Sequence, residues 1–358
     1  MDKLNVLMLG PARNVKGGMT SVIDSYYDYG LDKKVNLKYI ETINDKNKIS
    51  KFISEVKGYI EFERYIDKYD IVHIHMASRR STFRKGRYIK IANKKGKKVI
   101  LHLHGAEFKV FMNECNLKQT KFVKEILNLS DRIIVLSEEW KAYVETLVKD
   151  KNKVVVIHNS IIIPENFEKN LDTQKILFLG RIGNRKGIYD LVDVFKNIIK
   201  KFPKAHLYIG GDGEVEKIKK IIKDERLKSN ISYIGWISGK EKEKYLKECS
   251  FFCLPSYNEG MPMALIEGMA YKNIAISTNV GGIPRLIENG INGFCIEPGD
   301  KKKLQGILEN LLEEKNKFRR EQISDKARET IKNKFDIKNN IKKLINIYNE
   351  VGEKAWKK

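Results

Sequence analysis

Two segments of this chain share one plan. KLNVLMLG at 3–10 and KILFLGR at 175–181 are short apolar runs that close on glycine. A polar loop with further glycines follows each, Gly17–Gly18 in the first and Gly183 and Gly187 in the second. A helical pattern comes next, Thr20–Tyr29 and Ile188–Phe202. Runs that are apolar almost throughout suit strands covered on both faces, which is the condition of a parallel sheet. Strand, glycine loop and helix, repeated about 170 residues apart, predict two α/β domains of similar plan.

Further buried-strand candidates fit this frame. They are Ile71–His75, Val99–His104, Arg132–Leu136 and Val154–His158, then His206–Gly210, Ile231–Ile234, Phe251–Leu254 and Ile274–Ser277. Helical lengths separate them. A polar stretch with a proline, Pro164–Asp172, marks the boundary. We therefore expect an N-terminal domain over 1–168 and a C-terminal domain over 169–336. An amphipathic helix over about 337–358, with Ile337, Ile341, Leu344, Ile345 and Tyr348 on one face, should pack back on the first. Two Rossmann-like domains facing across a crevice would bind ligands at the carboxyl ends of their strands.

Composition narrows the setting. Of 358 residues, 69 are Lys or Arg and 46 Asp or Glu, a net charge of +23, so polyanionic partners are favoured on electrostatic grounds. From Arg79 to Lys98 there are ten basic residues, and no acid stands between Asp70 and Glu107. No apolar run approaches the ~18 residues of a membrane span, and no signal peptide is evident. Four scattered cysteines, Cys115, Cys249, Cys253 and Cys295, form neither a disulfide framework nor a zinc site. They read as reduced thiols of a cytoplasmic protein.

The segment LPSYNEGMPMALIEGMA at 254–270 carries the strongest chemical signal. A strand ends at Leu254, and Pro262 suits the first turn of a following helix. Backbone N–H groups near Gly260, Met261 and Met263 would then face an anion, aided by the helix dipole. Glu259 and Glu267 are eight residues apart. Eight helical steps come to roughly 800°, so both can point to one side. A carboxylate beside an anion site suits hydroxyls rather than phosphate. Phosphate with a polyhydroxyl group means a nucleotide sugar; the alternative is a capped helix with surface glutamates. In LGRIGNRKG at 179–187, Arg181 and Lys186 suit a pyrophosphate, or else line a solvated basic loop. No Walker A pattern is present. Gly17–Gly18 permit close backbone approach before a helix. His104–Gly105 stand at the end of a strand, whereas His73, His75 and His102 read as core residues. No zinc motif accompanies them, and we expect no metal.

Taken together, these motifs resemble the retaining glycosyltransferases of family 4. The E-x7-E motif matches Glu259 and Glu267, and G-R-x4-K-G matches Gly180–Arg181 and Lys186–Gly187. Gly-Gly before the first helix matches Gly17–Gly18, and HG matches His104–Gly105. The resemblance covers most of the chain and is densest over 176–300. Two departures stand out: Arg285 replaces the usual Glu after GGIP, and Asn159–Ser160 replaces Asn-Gly. The resemblance implies a GT-B fold and metal-free transfer with retention, with Arg181 and Lys186 neutralising the donor diphosphate. It implies that Glu267 binds the ribose, that Glu259 with the backbone of Gly260, Met261 and Pro262 holds the sugar and phosphate, and that Ile237 lies by the base. His104 and Glu259 would be the catalytic pair.

A UDP-sugar donor of a hexose or N-acetylhexosamine is favoured. A glycan or polyprenyl-diphosphate-linked acceptor, in envelope, capsular or exopolysaccharide synthesis, completes the reaction. Arg79–Lys98, interleaved with Phe83, Tyr88 and Ile91, is either a product of background basic composition or a patch that would seat the enzyme on the anionic inner face of the membrane. A nucleotide-sugar epimerase, a glycosyl phosphorylase and a non-catalytic polyanion binder are the alternatives. No nucleic-acid signature is present.

Overall fold

A computed structural model of the protein describes residues 3–44, 47–223 and 227–356, with only the backbone of 353–356. Residues 1–2 of the first expected domain and 357–358 of the expected last helix lie outside the described residues. The chain forms two compact units, Met1–Ile162 with Ile337–Lys358, and Ile163–Asp336. The division falls at 162/163, six residues before the expected 168/169.

Unit 1 holds a six-stranded parallel sheet: β1 (Asn5–Gly10), β2 (Asn36–Glu41), β3 (Ile71–Met76), β4 (Lys98–Leu103), β5 (Arg132–Val135) and β6 (Val154–Val156). Its order is β2-β1-β3-β4-β5-β6. Successive side chains of a strand face opposite ways, so each central strand serves two packed layers. On one face Leu7, Leu9, Val72, Ile74, Val99 and Leu101 join Phe62, Tyr88 and Ile89 in a single core. On the other lie His73, His75 and His102, with His75 in register with His102. The helix Ile337–Trp356 covers that face. Ile337, Ile341, Leu344 and Tyr348 of it are buried, and the Ile337 N–H donates to the Ile161 carbonyl.

Unit 2 repeats the plan with β7 (Lys175–Leu179), β8 (His206–Gly210), β9 (Ile231–Gly235), β10 (Phe251–Leu254), β11 (Ile274–Thr278) and β12 (Phe294–Ile296). The order β12-β11-β10-β7-β8-β9, read backwards, is the Rossmann 3-2-1-4-5-6 arrangement. The helix Ile188–Lys201 buries Ile188, Leu191, Val192, Phe195 and Ile198, the 3–4 spacing of a core-facing stripe. Where strand order reverses, between β7 and β10, the loops after these strands have no neighbouring crossover above them. Such a switch point is where a doubly wound sheet binds its ligand.

Candidate active site

Three loops meet at the β7/β10 switch point of unit 2. The loop after β7 turns through a short 3-10 segment, Asn184–Lys186, and ends on Gly187 at φ 68°. A Cβ there would stand 1.9 Å from the Pro255 carbonyl oxygen, so only glycine permits this approach to the loop after β10. The two loops are also tied directly. The Tyr257 N–H donates to the Arg185 carbonyl at 2.8 Å, and the Arg185 guanidinium donates to the Asn258 carbonyl at 3.0 Å. The loop after β11 closes the third side. Gly281, at φ 54°, would place a Cβ 1.9 Å from the Glu259 carbonyl oxygen, and the Gly282 N–H donates to the Gly260 carbonyl at 2.6 Å.

This backbone holds one buried ion pair. Lys186 Nζ lies 2.5 Å from Glu259 Oε1, and the Ser256 hydroxyl donates to the same oxygen at 2.7 Å. Glu259 is 6% exposed, and Gly260, Met261 and Pro262 beside it are buried. A carboxylate so withdrawn from water is costly to bury without such partners. Lys186 has three donors, so the ammonium can serve an incoming phosphate oxygen while keeping Glu259. Ser256 escaped the sequence reading, although it stands within the segment singled out there.

The expected geometry needs one correction. The helix is Met263–Ala270 and Pro262 is its cap residue. Glu259 therefore lies in the loop and not on the helix, so the argument from eight helical steps fails. The ion pair with Lys186 and the tight glycines turn Glu259 instead. Glu267 is on the helix, where Lys242 from Gly239–Glu248 reaches its Oε1 at 2.8 Å. Lys242 was not foreseen, because nothing in GKEKEKYLKE sets one lysine apart. Arg181 is exposed, with its side chain beside Gly213, and no ion pair among the described residues holds it. Ile237 is buried just after Gly235, whose positive φ of 75° opens onto free space. Arg285, the departure after GGIP, is exposed on the short helix Ile283–Leu286; Asn159 and Ser160 are buried.

The remaining candidates belong to unit 1. Gly17, at φ 151°, caps the helix Gly18–Asp28, and a Cβ at Gly17 or Gly18 would meet nothing within 4 Å. This opening leaves room for a ligand at the backbone. His104 follows β4, half-buried, at the edge of a stack of four imidazoles. Ring centroids of His102 and His104 are 4.1 Å apart, those of His73 and His75 4.5 Å, and those of His75 and His102 5.0 Å. His75 Nδ1 and His104 Nε2 share a hydrogen bond of 2.8 Å, and His73 Nδ1 shares one of 2.6 Å with the Tyr348 hydroxyl.

Burial, chiefly, holds these rings neutral. It brings His73 and His104 down to about 3 and takes His75 and His102 well below the usual histidine range. His75 Nε2 is buried without a hydrogen-bond partner. A buried unpaired N–H is the costlier state, so the proton of His75 sits on Nδ1 and is donated to His104. His104 then carries its own proton on Nδ1 as a donor.

Ligand nitrogens of His73, His75 and His102 lie within 4.8 Å of one another, enough by count for a cation. Their planes, however, are inclined by only 26°, 7° and 30°. Lone pairs confined to near-parallel stacked planes do not meet at one point, whereas zinc needs them to converge at about 2.0–2.1 Å. Cys249 and Cys253 are buried free thiols; burial pushes Cys249 up to about 12 and Cys253 higher still, which leaves both unreactive.

The basic run Arg79–Lys98 is less bare than its composition suggests. Arg79, Arg84, Lys90, Lys95 and Lys98 pair with Glu114, Glu55, Glu125, Asp67 and Asp131. Lys85 is buried against the Thr42 hydroxyl, and Tyr88 is buried too.

Two six-stranded parallel sheets with a loop-built site at a switch point define the GT-B class. Solved structures agree. Sucrose-phosphate synthase from Thermosynechococcus elongatus superposes with a TM-score of 0.81, at 17% identity, over 98% of this chain and 99% of that one. Anabaena HepE in complex with UDP does so at 0.74 and 14%, over 97% and 100%. Within that class, "Glycosyl transferases group 1" matches residues 159–330 and "Glycosyltransferase Family 4" matches 39–163. The chain belongs to this glycosyltransferase family. An uncharacterised glycosyltransferase of Methanocaldococcus jannaschii is 29% identical over 287 residues, covering 79% of this chain and 76% of that protein. A 41.2 kDa protein of the Klebsiella pneumoniae cps region is 27% identical over 281 residues, covering 74% and 76%. Among the described residues, no helix is long and apolar enough to cross a membrane.

Proposed function

We propose that this protein is a retaining glycosyltransferase, moving a hexose or N-acetylhexosamine from a UDP-sugar to a glycan or polyprenyl-diphosphate-linked acceptor. The observation that carries the reading is the buried Lys186–Glu259 pair, held at the switch point by loops that tolerate no side chain at Gly187 or Gly281. It sets an ammonium and a carboxylate next to buried backbone, the combination a diphosphate joined to a sugar needs.

In this reading Arg181 and Lys186 take the diphosphate and stabilise the leaving group's charge without a metal. Glu267 accepts from the ribose hydroxyls, while Ile237 lies by the base. Glu259, with Gly260, Met261 and Pro262, holds the transferred sugar. Unit 2 is thus the donor domain, and unit 1, with Gly17, Gly18 and His104, serves sugar and acceptor.

Relatives support the substrate classes. They include a 2-deoxystreptamine N-acetyl-D-glucosaminyltransferase of Niallia circulans and a poly(ribitol-phosphate) alpha-N-acetylglucosaminyltransferase of Staphylococcus aureus. An amylovoran biosynthesis glycosyltransferase of Erwinia amylovora is another. HepE has been solved with UDP-glucose. We place the work of the enzyme in envelope or capsular polysaccharide synthesis, at the inner face of the cell membrane.

A thermal-shift panel with UDP, GDP, ADP and their sugars, with and without EDTA, tests this. At ~100 Kd a ligand adds about 2.7 kcal/mol. Stabilisation by UDP and a UDP-sugar, indifferent to EDTA and lost in Lys186→Ala, is expected. No shift with any nucleotide overturns the reading.

A further inference from the structure

One helix of unit 1 is turned inside out. Lys48–Tyr65 carries Ile49, Phe52, Ile53, Val56 and Ile60 at the three- and four-residue spacing of a core stripe. Yet these side chains are 73%, 68%, 46%, 42% and 61% exposed. With Tyr59 they make up six of the thirteen large exposed apolar residues among the described ones. The orientation is fixed from behind. A Cβ at Gly58 would stand 2.5 Å from the Glu41 carbonyl oxygen, and Phe62 is buried edge-on against Tyr88. The helix cannot roll to hide its stripe without losing both contacts.

The charge left outside ion pairs around the stripe has one sign. The three acids of the helix are occupied: Glu55 by Arg84, Glu61 by Lys38 and Glu63 by Lys95. Its exposed charges that no ion pair among the described residues holds are Lys48, Lys57 and Arg64. The adjoining helix Arg80–Lys94, joined to it through Arg84–Glu55 and the Tyr59–Tyr88 ring contact, adds Arg80, Arg87 and Lys94. These are seven residues apart, on one ridge, and exposed, and no ion pair among the described residues holds them.

We propose that this face docks on an anionic lipid bilayer. The helix Lys48–Tyr65 lies in the headgroup plane, with its stripe in the acyl boundary and the six basic residues among lipid phosphates. A stripe of Ile, Phe and Val whose neighbouring acids are ion-paired and whose free charges are cations is what such a surface selects. A second copy of the chain is a poor occupant. A two-fold contact would set Lys48, Lys57 and Arg64 against their own kind. The inference does not depend on the donor or acceptor proposed above, because vesicle binding is read without catalysis. It moves the membrane surface from the run Arg79–Lys98, half of whose basic residues are ion-paired, to the helix before it, keeping only that run's outer ridge.

Co-sedimentation of the full chain with vesicles of phosphatidylcholine alone, or with phosphatidylglycerol added, tests the proposal. Binding is expected on the mixed vesicles and weak on the neutral ones. A stripe variant, Ile49→Ser with Phe52→Ser and Ile60→Ser, should lose roughly a hundredfold or more in partitioning. A ridge variant, Arg80→Ser with Arg87→Ser and Lys94→Ser, should lose roughly fivefold per charge at low salt. Phe318→Ser, an exposed apolar change in unit 2, is the control and should bind normally. Unchanged melting temperatures establish that the variants fold. Equal binding by the stripe variant, or equal binding to both vesicles, overturns the proposal. So does a wild-type dimer that ignores vesicles and that the stripe variant makes monomeric.

Discussion

The buried imidazoles make unit 1 sensitive to acid in a way that can be calculated. His73, His75 and His102 are at most 1% exposed, and burial holds His73 down to about 3 and the other two well below the usual range. In the unfolded chain each titrates near 6.5. Between that value and about 3 the unfolded state binds more protons, so stability falls as pH falls; above 6.5 the contribution is complete. At pH 5.5 the loss relative to pH 8 is roughly 1–2 kcal/mol per ring, or roughly 4 kcal/mol for three. Half-buried His104 is reached by water and adds less than these three. Set against a total stability of about 5–15 kcal/mol, the effect is large.

His102→Leu isolates one ring. Neither nitrogen of His102 has a hydrogen-bond partner, so the exchange for a similar apolar volume loses no bond. Urea titrations followed by circular dichroism should find the variant close to wild type at pH 8. At pH 5.5 it should be more stable by roughly 1–2 kcal/mol. A difference between variant and wild type that is the same at both pH values would refute the reasoning.

Four other outcomes follow from the site. Gly187→Ala forces a Cβ onto the Pro255 carbonyl at a positive φ and should cost about 2 kcal/mol or more in urea titrations, with loss of UDP binding. Lys186→Met leaves Glu259 buried without its cation; donor turnover should fall by roughly a hundredfold or more, measured as UDP release. Glu267→Gln should weaken the thermal shift given by UDP while leaving urea stability within about 1 kcal/mol, because its partner Lys242 stays partly exposed. His75→Phe removes the donor that sets the His104 proton on Nδ1; kcat should drop roughly tenfold with KM little changed, and His75→Asn, which can still donate, should recover part of it.

Much of the architecture was legible because central parallel strands are apolar on both faces. Phe251–Leu254 announces itself as an uninterrupted apolar run, and Ile71–Met76 as one broken only by His73 and His75. The two strands that the sequence reading passed over, β2 and β12, are edge strands. Asn36–Glu41 is mostly half-exposed, so it lacks that run, and Phe294–Ile296 is only three residues long. The site was legible where glycine and charge coincide, as at Lys186–Gly187 and Glu259–Gly260. It was not legible where a partner comes from a distant, featureless stretch, as Lys242 does for Glu267. Nor does spacing tell a stripe that faces the core from one that faces away. For Lys48–Tyr65 that depends on Gly58, whose packing against Glu41 is a tertiary fact.

The return of Ile337–Trp356 to unit 1 has a consequence for biosynthesis. All of unit 2 leaves the ribosome before the wall that covers β3 and β4 on their histidine side. Residues 163–336 can therefore collapse as a contiguous piece, while the earlier half of the chain waits with its imidazoles wetted and protonatable. His73 meets the Tyr348 hydroxyl only after 275 residues of further translation. The usual N-to-C order of domain maturation is thus inverted, and a released chain cut just before 337 would present a finished second unit on an unfinished first.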